Sequence, residues 1–355
     1  MAIAPKPPPL FPPVTPEYLL SFQFSAWYPI FSALSIKSTI IRPLSQDFCE
    51  YLDADGVLVP EGSENLLVNP GALMTPAEST LSDDDDSDEE EGETKRYAFP
   101  DLDSQIREAV KQYGGVFPKL NFSSPKDAAW VLPASSPLKC VSPSDVYLLL
   151  KSSDFVSHDL SAESVFEGCD PSAFEDAPPY ELELVLRKWY SVDRSRELRC
   201  FVRQNVLLGI SQRDANYYEF YNEPSTRNKI LSTVEQFWQT NIKQQWPTRG
   251  DYTFDILLTR DLARAHILDF NPYAPRTDSL LFEYDELLDL LTRGVERPEL
   301  RVIDSRIHPA ATCNAPAHQH NMVPFEALSL SSGRGIGEFA ELWQEEIKKT
   351  TEPDA

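Results

Sequence analysis

Asp255 and the run Asp269-Phe270-Asn271-Pro272 are the part of this chain whose residue types and spacing best suit chemistry. In a strand, side chains alternate, so Asp269 and Asn271 face one way while Leu268 and Phe270 face the other. A three-residue turn at Asp261-Leu262-Ala263 would set Asp255 directly opposite Asp269 on a paired strand. Three oxygen donors would then converge on one face of a sheet. Such a set suits a hard cation such as Mg²⁺, which takes carboxylate and amide oxygens together with phosphate oxygens and water. The same residues also describe two unrelated strand acids and a turn asparagine ahead of a proline. Two facing carboxylates repel one another and cost stability unless a cation lies near.

A second group is cationic. Lys119 closes a short strand just ahead of Asn121-Phe122-Ser123-Ser124-Pro125, and a helix is expected to begin there. A lysine beside the free N–H groups of a helix start suits phosphate oxygens. Arg199, Arg203 and Arg213 fall on one hairpin, with Arg199 and Arg203 on the same face. Four cations in an acidic chain suggest a bound anion, and they equally describe salt bridges to abundant carboxylates. Gly333-Arg334-Gly335-Ile336-Gly337 lacks the strand and spacing of a dinucleotide fingerprint and reads as a helix lead-in. His318 and His320 lie in a polar loop without cysteines or acids nearby, and His158 reads as a core histidine. No Walker lysine loop, GxSxG elbow or HExxH is present.

The elements that would position these residues read as follows. Leu102, Ile106, Ala109, Val110 and Tyr113 form one helical stripe ended by Gly114-Gly115. A strand over 116–120 follows, and Ser124-Pro125-Lys126-Asp127 reads as N-cap, N1 proline and capping-box acid. Ser142-Pro143-Ser144-Asp145 repeats that signal before a helix ending at Leu150. Strands are expected over 35–44, 181–189 and 300–304, and helices around 230–242, 283–292 and 339–347. Hairpins are expected at 198–213, about Gln204-Asn205, and at 252–271. Residues 306–323 read as loop, and the aromatics from Phe22 to Phe31 as core. Helices and strands alternate loosely with antiparallel hairpins, which is α+β and no doubly wound series.

The chain has 355 residues, 41% of them apolar, enough for a sizeable core and roughly two domains. Its 32 Lys and Arg against 56 Asp and Glu leave a net charge of −24, which argues against nucleic acid and anionic membranes as partners. Asp83 to Glu93 holds nine carboxylates in eleven residues, and about −15 remains without it. That run cannot pack, so 61–98 reads as a disordered insert, solubilising or a target for an acidophilic kinase. Residues 1–17 are Pro-rich and read as an unfolded leader. The five cysteines are scattered, there is no signal core, and no run approaches a membrane span, so a reducing cytosolic setting is expected.

Taken in order, several stretches resemble the cell division cycle protein 123 family: Phe24–Pro29, Lys119–Ala128, Leu186–Trp189, Glu197–Val202, Gly209–Asp214, Ile267–Pro272 and Thr277–Phe282. The resemblance spans 18–60 and 100–305, and more weakly 320–349. It implies an ATP-grasp-like fold, with lobes at 99–190 and 191–305 holding ATP between them. It implies a role in assembling eukaryotic translation initiation factor two through its gamma subunit. Lys119 resembles the strand lysine on the nucleotide phosphates, and the Asn121–Lys126 turn, with Ser123 and Ser124, the phosphate loop. Arg187, Lys188, Trp189 and Tyr190 resemble the hinge strand that reads the adenine edge. Arg199 and Arg213 resemble phosphate or acceptor-side cations, and Asp255, Asp269 and Asn271 the Mg²⁺ ligands. The Ser-Ser-Pro-Lys turn is stiffer than the glycine-rich loop of classical ATP-grasp enzymes.

Two functions follow from that resemblance and from the residues. One is an ATP·Mg²⁺-binding assembly chaperone, expected to be a cytoplasmic monomer. The other is an ATP-grasp ligase that activates a carboxylate as an acyl phosphate for attack by an amine. Either needs the same cations and metal to neutralise phosphate charge. A ligase also needs an acceptor pocket, and no residues in the sequence mark one.

Overall fold

The computed structural model describes residues 8–54, 56, 59–64, 96–133, 135–170, 177–246 and 250–313. The chain divides into an N-terminal unit, Pro13–Val192, and a C-terminal unit, Asp193–Ala355 together with Met1–Pro12. The break falls two residues beyond the expected end of the hinge strand. The expected segments 18–60 and 99–190 belong to one unit, and the fold is mixed α+β.

The N-terminal unit runs through α1 (Pro16–Leu20), α2 (Phe24–Phe31), β1 (Ser38–Ile41), α3 (Gln46–Asp53), α4 (Pro100–Tyr113), β2 (Val116–Lys119), α5 (Pro143–Lys151), α6 (Asp154–Ser157), α7 (Ala162–Val165) and β3 (Leu184–Lys188). Its sheet is antiparallel with β3 central, in the order β1-β3-β2. Leu102, Ile106 and Ala109 of α4 are buried with Val146 and Leu150 of α5, in the same cluster as Phe48, Tyr51, Phe99 and Tyr147. α4 stops because Gly114 takes a left-handed φ of 75°, which a side chain would strain. The capping box of Ser142 and Asp145 opens α5 as its sequence implies.

The helix expected after Ser124 does not form; the segment turns and ends in a single 3-10 turn, Ala129–Val131. Asp127 caps a different helix. Its carboxylate accepts from the Ser153 hydroxyl at 2.5 Å and from the N–H groups of Asp154 and Phe155 at 2.8 and 3.3 Å. An acid engaged with the start of α6 is not available to close a box on its own strand of chain.

Two expected irregular stretches have structure at their margins. From Pro8 to Pro12 the expected leader belongs to the C-terminal unit, and Thr15 caps α1 by accepting from the Tyr18 N–H. The base of the acidic insert is closed by a hydrogen bond from Glu61 N–H to Tyr97 O at 2.8 Å, and Ser63 and Phe99 are buried. The acidic run itself, the histidines 318 and 320, the glycine-rich stretch 333–337 and the helix expected at 339–347 lie outside the described residues.

The C-terminal unit continues with β4 (Glu197–Arg203), β5 (Val206–Gln212), α8 (Pro224–Phe237), β6 (Tyr252–Leu258), β7 (Ala265–Asn271), α9 (Tyr284–Arg293), β8 (Glu299–Arg301) and α10 (Pro309–Cys313). The expected loop from 306 thus contains a helical turn. The sheet order is β7-β6-β4-β5-β8, antiparallel except where β8 joins β5. The β4–β5 hairpin turns at Gln204 and Asn205, whose φ values of 50° and 60° are those of a type I′ turn. One face of the sheet packs on α8 and the turn after it: Trp238 donates to the Tyr252 hydroxyl at 2.8 Å, and Trp246 meets Phe270 at 4.6 Å. The other face carries Phe201 and is covered by Tyr273, Phe282, Leu287 and Leu290.

Candidate functional site

Asp255 on β6 stands opposite Asp269 on β7, and Thr253 opposite Asn271. The register is reached by a different route from the expected three-residue turn. The hairpin closes at Thr259, whose N–H donates to Arg264 O at 2.9 Å, so four residues lie between them. Continued without interruption, that register would put Asp269 opposite Phe254, on the apolar face. A bulge between Ile267 and Asp269 adds one residue to β7 and shifts the pairing. Ile267 and Phe270 therefore stay buried together while Asp269 comes alongside Asp255. Opposed residues in such a pair keep Cβ atoms about 5 Å apart, within reach of a shared ligand.

On its other side β6 pairs with β4, which places Arg199 directly across from Asp255. Arg199 forks onto the carboxylate, Nε to Oδ1 at 2.8 Å and Nη2 to Oδ2 at 2.9 Å. Its remaining nitrogen, Nη1, donates to Asp278 O at 2.8 Å. Arg213, one residue past β5, brings Nε to 3.2 Å from Asp255 Oδ2 and Nη1 to 3.2 Å from Glu197 Oε2. Asp255 and Arg199 are buried, with side chains 4% and 8% exposed, whereas Arg213 is 28% exposed. Burial works to lower the pKa of Arg199, and the facing Asp255 carboxylate outweighs it, so the guanidinium is held more firmly protonated than usual.

The expected repulsion between facing carboxylates is thus compensated, by protein cations. Asp269 and Asn271 are half-buried, and Asp269 Oδ1 accepts from the Phe270 N–H at 3.1 Å. Among the described residues no group of three or more His, Cys, Asp or Glu side chains could hold a metal. The third oxygen of this set is an amide, that of Asn271.

The other candidate residues have the following surroundings. Arg203 lies on the same strand face as Arg199 but pairs with Asp251 at 2.7 Å and covers the Tyr273 ring at 5.6 Å, so it is a salt-bridged arginine. Lys119 belongs to the N-terminal unit, is 1% exposed, and its ammonium donates to Phe122 O. Asn121 bridges within the same unit, donating to Glu181 O at 2.8 Å and accepting from Glu183 N at 2.9 Å. Lys126 is exposed, and the Lys126 N–H donates to Ser124 O at 2.8 Å. Along β3 and just past it, Arg187 lies over the Phe24 ring, and the N–H groups of Lys188 and Trp189 donate to Lys37 O and Gly115 O. The Lys188 ammonium lies 5.1 Å from the centre of the Tyr190 ring, and Tyr190 is exposed.

Asp159 is the residue that motif reading passes over. Fully buried, it accepts from the N–H groups of Phe122 and Ser123 at 2.7 and 2.8 Å and from the Ser123 hydroxyl at 2.8 Å. The turn after Lys119 is therefore shaped by a carboxylate 36 residues away. Burial raises the Asp159 pKa despite those hydrogen bonds and the charge of Lys119. Its neighbour His158 drew notice in the sequence, whereas Asp159 sits in the 3-10 turn His158–Leu160 between α6 and α7 and is buried. Glu197, the partner of Arg213, was legible in principle: it shares a strand face with Arg199 two residues on.

The family model described as D123 matches residues 27–331. The chain belongs to the D123 family. The family resemblance carried by the ordered motifs is upheld, since a relative from Yarrowia lipolytica named "Cell division cycle protein 123" is 34% identical over 90% of this chain and 80% of its own. A relative from Schizosaccharomyces pombe is 34% identical over 96% of this chain and 99% of its own, and one from Xenopus tropicalis is 42% identical over 76% and 78%. Both carry the name "Translation initiation factor eIF2 assembly protein". The solved structure of Cdc123 from Schizosaccharomyces pombe aligns with a TM-score of 0.65 at 32% identity, over 83% of this chain and 100% of that one. Among the described residues, no helix of this D123 chain is long and apolar enough to cross a membrane.

Proposed function

We propose that this D123 chain is an assembly factor for translation initiation factor eIF2, working in the cytosol as an ATP·Mg²⁺-bound chaperone of the gamma subunit. The observation that carries the assembly role is the name borne by relatives 34% and 42% identical over 96% and 76% of this chain. The nucleotide and the gamma subunit come from the family resemblance, and the geometry around Asp255 supports the nucleotide.

The donor set fits the metal. Asp255, Asp269 and Asn271 offer oxygen alone, as a hard cation requires. Mg²⁺ bound there would neutralise phosphate charge and fix phosphate oxygens in one orientation. Arg199, locked by its fork and by Asp278 O, keeps Asp255 in place. Arg213 is the more exposed cation and the one able to exchange an ion pair for a phosphate oxygen. Lys119, Asn121, Ser123, Ser124, Lys126 and Arg187–Tyr190 enter this reading as further nucleotide contacts within an ATP-grasp-like fold.

Binding nucleotide selects one arrangement of the protein, and the partner reads that arrangement. Purified chain incubated with the eIF2 gamma subunit should retain it better with ATP and Mg²⁺ than with EDTA, and eIF2 heterotrimer yield should rise accordingly. Gamma subunit absent from both eluates would overturn the chaperone reading. ADP formed in step with a new amide product from supplied amine and carboxylate would establish the ligase instead.

A further inference from the structure

The Arg199–Asp255 pair is braced by the 272–283 loop, and the loop is braced by the segment Pro8–Pro12. Asp278 O receives Arg199 Nη1 at 2.8 Å. The loop that presents this carbonyl is tied by the Tyr284 hydroxyl, which donates to Thr277 O at 2.7 Å and Ala274 O at 3.2 Å. Thr277 donates in turn to Pro272 O at 2.6 Å. Tyr284 meets Tyr273 edge-on at 5.0 Å, and Phe11 closes the group, 4.7 Å from Tyr284 and 6.2 Å from Tyr273. Arg203 fastens the same segment from the sheet: Nη2 donates to Pro9 O at 3.0 Å while its guanidinium covers the Tyr273 ring. A leader with no role in the unit would give neither its only aromatic ring nor a backbone carbonyl to it.

We propose that Pro8–Pro12 is a positioning strap, with Phe11 acting through Tyr273 and Tyr284 on the 272–283 loop, and through Asp278 O on Arg199 and Asp255. Phe11 is thus a positioning residue for the candidate site and touches no ligand. The consequence for nucleotide rests on the ATP·Mg²⁺ reading above; the ordering of the loop does not.

Full-length Phe11→Ala, Phe11→Leu and Phe11→Tyr chains separate the possibilities by hydrogen exchange and by ATP calorimetry with and without Mg²⁺. In Phe11→Ala the amides of 272–283, Thr277 and Phe282 among them, should exchange about tenfold faster, since an aromatic contact is worth about one decade in an equilibrium. Phe11→Leu should fall between, and Phe11→Tyr should restore protection. Exchange in the β4–β5 hairpin should not change. Mg²⁺-dependent ATP affinity should fall about tenfold in Phe11→Ala and recover in Phe11→Tyr. Unchanged exchange over 272–283 overturns the strap, and so does exchange quickened uniformly through the C-terminal unit, which marks general destabilisation. A quickened loop with unaltered ATP affinity overturns the positioning role. A wild-type chain that binds no ATP overturns the nucleotide reading alone, and loop exchange then decides the strap.

Discussion

Asp255 and Asp269 face each other across two strands yet differ in burial, and the difference sorts their variants. Asp255 is buried beneath the forked guanidinium of Arg199, so removing its charge strands that buried cation, while Arg213 keeps Glu197. Breaking a buried pair on one side costs about 3–5 kcal/mol, so Asp255→Ala should melt markedly earlier than wild type. Asp269 is half-buried, with Oδ1 accepting from the Phe270 N–H, and Asp269→Ala should cost less stability than Asp255→Ala. Both should lose Mg²⁺-dependent ATP binding, but only Asp269→Ala does so from an intact fold; calorimetry beside a thermal melt reads both. ATP affinity unchanged in Asp269→Ala would remove this carboxylate from the metal set.

Asp159 carries a pH signature. Burial holds its carboxyl above the ordinary value, so the folded state binds that proton more tightly than the unfolded chain, where the pKa is about 3.9. The stability it contributes is complete below about pH 4 and is lost as pH rises through the folded pKa. Glu183, also raised by burial, acts in the same direction. Asp159→Asn should therefore show a melting temperature that falls less than that of wild type as pH rises from about 4. Parallel curves would mean that Asp159 titrates as an ordinary carboxylate.

At the scale of elements, the covering of the sheet by the 272–283 loop and α9 depends on one missing side chain. A Cβ on Gly209 of β5 would lie 2.8 Å from Phe282 Cζ and 3.1 Å from Leu287 Cδ2. Phe282 has little room to yield, being 1% exposed, 5.6 Å from the Phe201 ring and covered by the Arg301 guanidinium at 4.2 Å. Overpacking of this kind costs about 1–3 kcal/mol, so Gly209→Ala should lower the denaturant midpoint. Because the same loop presents Asp278 O to Arg199, ATP affinity should weaken with it. A Gly209→Ala chain as stable as wild type would mean that the loop shifts at no cost.

Over the whole molecule, the acidic run supplies nine of the carboxylates behind the charge of −24, and a run of that composition has no apolar face. Replacing 66–94 by a short Gly/Ser linker should leave the melting temperature and ATP affinity nearly unchanged. The replacement has to stop short of Tyr97, whose ring lies 5.2 Å from Tyr51 and whose carbonyl closes the loop base, and of the buried Phe99. Extending it through Phe99 should cost about 3–5 kcal/mol, the usual penalty for deleting a buried aromatic ring. Equal melting of the two replacements would show that the base contributes nothing.

What the sequence by itself determined is the set of features written within a few residues of one another. The Gly114 stop, the Ser142–Asp145 box, the Gln204-Asn205 turn and the alternation along β4 and β6 all follow from backbone propensities and i to i+4 neighbours. So does the placing of Asp255 and Asp269 on paired strands. Tertiary structure decided who pairs with whom across long separations. It put the bulge into β7 that keeps Ile267 and Phe270 buried together, sent Asp127 to α6, took Arg203 to Asp251 and gave Asp255 to Arg199 and Arg213. It also drew Phe11 into a core of residues 190 or more positions away. A carboxylate or guanidinium at a given position accepts many partners of nearly equal intrinsic worth, and only close packing of the apolar faces around it selects one.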